Sequence, residues 1–250
     1  VINDLDDNVV NLFKQLRTNA KALCRAVALT PYASAELSQA KSSTRYVSQI
    51  EKARRFLVQT MMTVNGTVDG NGNSSGFSIS NSYARGNREA RVNRWLNLPG
   101  RLEEVVERLR DVRVEKRDAR SLLRMFSDRP ATLVYLDPPY FTKRDHCYVI
   151  DANDHDFHEE LLEICCDARC MILLSGYENK LYQRILIREA SWTKKKIQTH
   201  TRDTSGTDYE RTEVLWMNPQ FRKACKTGRI PIRLSREEKK HNKVNPARKT

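Results

Sequence analysis

Asp137-Pro138-Pro139-Tyr140 closes the segment ATLVYLDPPYF (131–141), and these residue types in this order can hold a planar amine ready for attack. The carboxylate of Asp137 is a hydrogen-bond acceptor. The Pro138 carbonyl is a second, since proline has lost only its donor. Proline's fixed φ holds that carbonyl in place before anything binds. Tyr140 offers a ring on which a base can stack, worth about 1–3 kcal/mol. Two acceptors engage both hydrogens of an exocyclic amine and leave the nitrogen lone pair free to attack a methyl group in line. The competing reading is an ordinary strand-ending Pro-Pro turn with an exposed tyrosine.

The elements around the turn decide between the two. Thr132 to Leu136 is an apolar run of β-formers that must end at the prolines. Upstream, Val9, Val10, Leu12, Phe13 and Leu16 recur at helical spacing after Asp4, and Leu102, Val105, Val106 and Leu109 repeat the pattern. Val112 and Val114 alternate as a strand ending near Asp118. Phe157, Leu161, Leu162 and Cys165 predict a helix leading into a buried strand over Met171–Leu174, and Glu213–Met217 predicts the last strand. This alternation predicts an α/β fold with a mostly parallel, doubly wound sheet whose ligands sit at the C-terminal strand ends. Asp4, Asp118, Asp137 and Ser175 all fall at such ends, so separate segments converge on one cleft.

With these residues in view, the chain resembles the DNA adenine methylase family, the D12 class of N6-adenine methyltransferases. The resemblance is carried by the D-P-P-Y strand and by VINDLDDNVVNLFKQLR (1–17), RLEEVVERLRDVRVEKRDARSLL (101–123), ILLSGYENKLY (172–182) and ERTEVLWMNP (210–219). It implies a Rossmann-like sheet using S-adenosylmethionine, with an inserted, largely helical target-recognition lobe. Residues 1–29 and 101–220 would form the catalytic domain and 30–100 the recognition lobe. Asp137, Pro138, Pro139 and Tyr140 would be catalytic, Asp4 would bond the cofactor ribose, and Asp118 the cofactor's adenine amine. Ser175, Gly176 and Tyr177 would line the pocket. The substrate would be adenine N6 in double-stranded DNA, flipped out of the helix because a stacked base is out of reach.

Two departures from the family pattern stand out. Where the family often has Phe after the adenine-contacting acid, this chain has Ala119. The glycine-rich loop that cradles the cofactor's methionine part is expected ahead of a strand like Val1–Asp4 and is not seen; Gly70, Gly72 and Gly76 lie in a polar stretch that cannot replace it. A truncated, inactive DNA-binding remnant is therefore one alternative, and a methyltransferase for cytosine N4 or an RNA base is another.

Five of the nine glycines lie between Gly66 and Gly86, which predicts a hairpin or long loop within residues 30–100. Arg85, Arg88, Arg91 and Arg94 follow at a spacing of three, predicting one helix stripe suited to DNA phosphates. A solvated helix face is the alternative.

Formal charge is +13, of which residues 221–250 carry +9 through 11 Lys/Arg against two Glu. That basic tail is expected to be mobile and to add sequence-blind phosphate affinity. Six cysteines show no regular framework, which with the enzyme motif suggests reduced thiols in a cytoplasm; the resemblance implies that of a bacterial or phage-infected cell. No apolar run approaches 18 residues, so no membrane span is expected. Asp154, His155, Asp156 and His158 look metal-like but precede a helix, where acids commonly sit. Cys165, Cys166 and Cys170 lack tetrahedral-site spacing. Methyl transfer from a sulfonium needs no metal, and a monomer is expected.

Overall fold

A computed structural model describes residues 1–42, 47–64, 76–79, 83–84, 87–139, 141, 154–202 and 208–230. Its chain order opens with β1 (Ile2–Asn3) and the helices α1 (Asp7–Thr18), α2 (Ala20–Ala28), α3 (Ser34–Lys41) and α4 (Gln49–Met62). A small antiparallel pair follows, β2 (Tyr83–Ala84) with β3 (Arg88–Glu89), then α5 (Ala90–Leu96) and α6 (Leu98–Leu109). The second half runs β4 (Val114–Glu115), α7 (Ala119–Phe126), β5 (Leu133–Leu136), α8 (His155–Asp167) and β6 (Met171–Gly176). One helical turn, α9 (Lys180–Tyr182), then winds on as a π-helix over Gln183–Glu189, and β7 (Thr193–Arg202), β8 (Asp208–Met217) and α10 (Pro219–Lys226) close the order.

The helix starts are written in local chemistry. Asp6 caps α1 by accepting the Asn8 N–H at 2.7 Å, and Ser48 caps α4 through the Glu51 N–H at 3.2 Å. Ser48 and Glu51 have the Ser-x-x-Glu spacing of a capping box. Asp154 caps α8 through Phe157 N–H at 2.7 Å. Asn218, 1% exposed, caps α10 through Phe221 N–H and also accepts the Ile172 N–H, both at 2.9 Å. Its amide donates to Cys170 O at 2.8 Å, so one side chain locks α10 onto β6.

Two hydrophobic cores result. The first gathers Leu16, Leu23, Val27, Leu57, Val58, Met62, Trp95, Leu102 and Leu109 from α1, α2, α4, α5 and α6. The helices on either side of residues 30 and 100 therefore share one interior. The second gathers Leu123, Leu161, Leu162, Ile172, Leu174, Leu186, Val214 and Trp216 around β6 and β8. Arg54 stiffens the first core: its Nε and Nη2 donate to Glu51 at 2.7 and 2.8 Å, and its Nη1 to Glu36 at 2.9 Å and Thr30 at 3.1 Å.

The strands form a two-stranded parallel pair, β1–β4, and a four-stranded sheet in the order β5-β6-β8-β7. The fold is mixed α/β, but the expected parallel predominance needs correction. Only β5–β6 is parallel in the larger sheet; β6–β8 and β8–β7 are antiparallel. The cause is the short link between β7 and β8, residues 203–207, since parallel neighbours need a crossover of a dozen residues or more. The last strand is correspondingly longer than expected, ten residues rather than five.

A second correction concerns the arginines. Arg88 lies in β3, opposite Ala84, while Arg91 and Arg94 lie in α5. Helix starts only at Ala90 because the chain first turns at Asn87, whose φ is +56°. Three-residue spacing alone could not see that turn. Arg85 lies outside the described residues, as does most of the glycine-rich stretch.

Candidate active site

The Asp137 turn is positioned by β5. Period-two alternation puts the side chains of Tyr135 and Asp137 on one face and those of Val134 and Leu136 on the other, where they pack against the second core. The register pairs Leu136 with Leu174, so the next residues, Asp137 and Ser175, come side by side. Ser175 Oγ lies 2.7 Å from Asp137 Oδ1 and 3.2 Å from Leu136 O. The Tyr135 hydroxyl donates to Ser175 Oγ at 3.1 Å. With its own acceptor role filled by Tyr135, Ser175 directs its single proton to the shorter contact, the carboxylate. Asp137 is thus an exposed acid with one oxygen, Oδ1, fixed by Ser175.

Asp4 reaches the same place from β1. A cleft of about 920 Å³ is lined by Val1–Leu5, Arg117, Ala119, Leu122, Leu123 and Phe126, by Thr132–Pro139, and by Phe157 and Leu161. Asp4 Oδ1 accepts the Asp6 N–H at 2.8 Å, and Oδ2 has no hydrogen bond among the described residues. Asn3 fixes this strand end: its amide donates to Arg117 O at 2.9 Å and accepts from Arg117 N–H at 3.0 Å.

Asp118 follows Arg117 and caps α7 through the Arg120 N–H at 2.8 Å. Arg120 also grips it by the side chain, Nε to Oδ1 at 3.0 Å and Nη2 to Oδ2 at 2.8 Å. That hydrogen-bonded guanidinium holds the carboxyl below the usual range for aspartate. Arg120 then donates to Glu160 of α8 at 2.5 Å, which Arg124 shares at 2.5 Å. The acid is therefore also a structural group, a role its spacing in the sequence did not announce.

The structure brings Asp4, Asp137, Pro138 and Pro139 to one cleft, with Asp118 between two of its lining residues. Tyr140 lies outside the described residues. Arg88, Arg91 and Arg94 do not line the cleft. Tyr135 was not singled out by the sequence, although its place two residues before Asp137 was the available signal.

The residue pattern that carries the resemblance extends over most of the chain. The profile of the D12 class N6 adenine-specific DNA methyltransferase family matches residues 1–201. The chain belongs to this family. A search among curated proteins gives no match. Membership makes this D12-class chain one of a family of DNA N6-adenine methyltransferases, a family that generally uses S-adenosylmethionine.

His158, Cys165 and Cys170 of this D12-class chain lie in its interior, whereas His155 is exposed beside Glu159. His158 is fully buried with Nδ1 2.9 Å from the Tyr182 hydroxyl. Cys165 and Cys170 are core residues, and burial pushes the Cys166 thiol up to about 11. Among the described residues no group of three or more His, Cys, Asp or Glu is arranged to hold a metal ion. No helix among them is long and apolar enough to cross a membrane.

Proposed function

We propose that this chain transfers a methyl group from S-adenosylmethionine to N6 of an adenine flipped out of duplex DNA. The observation that carries the reading is Asp137, held by Ser175 at 2.7 Å in the cleft that also receives Asp4. The residues fit the cofactor in kind: Asp4 offers a free carboxylate oxygen to ribose hydroxyls, and the floor of Leu122 and Phe126 is apolar. A volume of about 920 Å³ lies in the range of ligand sites. S-Adenosylmethionine supplies a methyl group on a positively charged sulfur.

The protein's own part is placement. The Asp137 carboxylate and the Pro138 carbonyl accept the two N6 hydrogens, which aims the lone pair out of the base plane. The Tyr140 ring stacks on the flipped adenine. With the cofactor held beside Asp4, the amine would take the methyl group that the sulfonium supplies, leaving a neutral thioether, and Asp137 or water would take the proton that the amine releases. No covalent enzyme intermediate is needed; orientation and fixed dipoles lower the barrier. Residues 30–100, with Arg88, Arg91 and Arg94, are proposed to grip DNA phosphates beside a Rossmann-like catalytic domain.

The test is transfer of labelled methyl to unmethylated duplex DNA, followed by nucleoside analysis. N6-methyladenine is expected, and its loss in Asp137→Ala with duplex binding retained. N4-methylcytosine would replace the substrate assignment. Binding of DNA without cofactor binding or product would make this chain a DNA-binding remnant.

A further inference from the structure

We propose that His158 and Tyr182 are positioning residues for the Asp137 turn: they build an aromatic seat for Phe141 that holds the far end of the turn, while Ser175 holds the near end. This role rests on the methyl-transfer reading and adds to it the side chains that keep the Pro138 carbonyl in place.

The turn needs a second hold. Proline fixes φ but not ψ, and a following proline only narrows ψ, to a span of about 40°. With Asp137 held by Ser175 alone, the Pro138 carbonyl would swing through that span, and a hydrogen bond weakens steeply as its angle closes. Fixing the chain beyond Pro139 removes the swing.

Phe141 is fixed there. Its ring centre lies 5.0 Å from that of His158, tilted at 48°, and 5.9 Å from that of His155, edge-on at 71°. Aromatic rings prefer such separations and tilts to a face-to-face stack. His155 and His158 stand three residues apart, so the first turn of α8 presents both rings to Phe141. Asp154 caps that turn.

His158 is itself held. It is fully buried, and its Nδ1 lies 2.9 Å from the hydroxyl of Tyr182, also buried. A ring nitrogen bonds in the plane of its ring, so this bond sets the tilt that His158 presents to Phe141. Burial pushes the Tyr182 phenol up, so it keeps its proton. Phe157 stands edge-on to His158 at 5.3 Å, and Tyr182 leans on Trp216 at 5.8 Å. Trp216 pairs with Leu174 of β6, and Ser175 is the next residue of that strand. Both holds on the turn are therefore referred to β6.

Packing alone does not call for these groups. The core around Tyr182 holds Leu161, Leu162, Ile185 and Leu186, aliphatic side chains that fill space without a hydrogen bond. A buried imidazole and a buried phenol each cost stability unless paired. What the bonded pair of rings adds is a fixed plane.

The experiment measures single-turnover methyl transfer, Tm, and Kd for S-adenosylmethionine and for duplex DNA. In the double variant His158→Phe/Tyr182→Phe both polar groups go together and both rings stay, so Tm should remain within about 2 °C of the parent. Its transfer rate should nonetheless fall about fivefold, within the worth of one oriented aromatic contact, with both Kd values unchanged. Phe141→Leu should lose about the same. The triple variant should lose no more than either, because all three side chains act through one seat. Should the double variant melt early or not fold, Phe141→Leu carries the test, and an unchanged rate there overturns the proposal. A parental rate in the double variant, or losses that multiply in the triple, would also overturn it while leaving the methyl-transfer reading intact. Absence of N6-methyladenine from the parent chain would remove that reading and this role with it.

Discussion

Replacing Asp118 by Ala separates a cofactor contact from a helix cap, because the two roles leave different signatures. Loss of the cap to Arg120 N–H costs about 1 kcal/mol. The side-chain pair with Arg120 is 34% exposed on the carboxylate side, so screening leaves it about 0.5 kcal/mol. Together these lower Tm by about 3–6 °C for a chain of this size. Oδ1 accepts from Arg120 N–H and Nε and Oδ2 from Arg120 Nη2, with the Ser121 backbone N–H acting on the same carboxylate, so an adenine amine would have to share Oδ2. A hydrogen bond to a charged group is worth about 1.5–3 kcal/mol, and partial exposure favours the lower figure, about tenfold in Kd. Calorimetric titration with S-adenosylmethionine and thermal melting read the two effects separately. Arg120→Met is the control: it lowers Tm by losing the pair while leaving cofactor affinity in place. A drop in Tm with an unchanged Kd in Asp118→Ala would refute the cofactor contact. The pH dependence has a definite sign. Because Arg120 holds the Asp118 carboxyl low, its stabilisation is present above the ordinary aspartate value near 4 and is lost as pH falls through the lower folded value.

Ser175→Ala removes the 2.7 Å bond to Asp137, but water can replace it at an exposed carboxylate. A loss of about 1 kcal/mol, or about fivefold in kcat with DNA affinity unchanged, is expected; a loss as large as that of Asp137→Ala would contradict a positioning role. Arg91→Ala and Arg94→Ala should each reduce the slope of log K against log salt by about 0.9, equally on scrambled duplexes. An unchanged slope would remove these residues from the DNA surface. Arg54→Met takes from Glu36 its Arg54 bond and leaves Glu51 with Arg55 alone, in a site where Arg54 is 8% exposed, and should cost about 2–3 kcal/mol by urea unfolding. A cost below about 0.5 kcal/mol would show that the network is solvent-screened.

Much of the site was legible because turns and periodicity are local. Two prolines stop a strand wherever it lies, so Asp137 had to sit at a strand end. Asp4 follows a strand and precedes a capped helix by the same logic. What was not legible depends on register. Ser175 meets Asp137 only because Leu133 pairs with Met171, and nothing in either segment alone sets that pairing. The arginine stripe failed for a related reason: Asn87 takes a left-handed conformation, which breaks a spacing that looked helical. The antiparallel β7–β8 pair was hidden because its polar strand, Thr193–Arg202, has few apolar residues to mark it.

The two halves of the cleft meet at the strand that enters α7. Asp137 and Ser175 belong to the sheet built on the second core, as does α7 through Leu123. Asp4 follows β1, whose strand partner among the described residues is β4. Between β1 and the segment entering α7, the Asn3 amide makes two bonds to the Arg117 backbone, 2.9 and 3.0 Å. Those bonds set where Asp4 stands relative to Asp118. Asn3→Ala should therefore weaken S-adenosylmethionine binding although Asn3 is assigned no cofactor contact. Two exposed neutral bonds together contribute about 1 kcal/mol, so Kd should rise about fivefold. DNA affinity should not move, since the arginines lie on α5 and β3. Asn3→Asp keeps one acceptor for the Arg117 N–H and should recover part of the loss. If Asn3→Ala bound the cofactor as tightly as the parent chain, Asp4 would not need this clamp, and its ribose contact would have to be abandoned or assigned to a looser geometry.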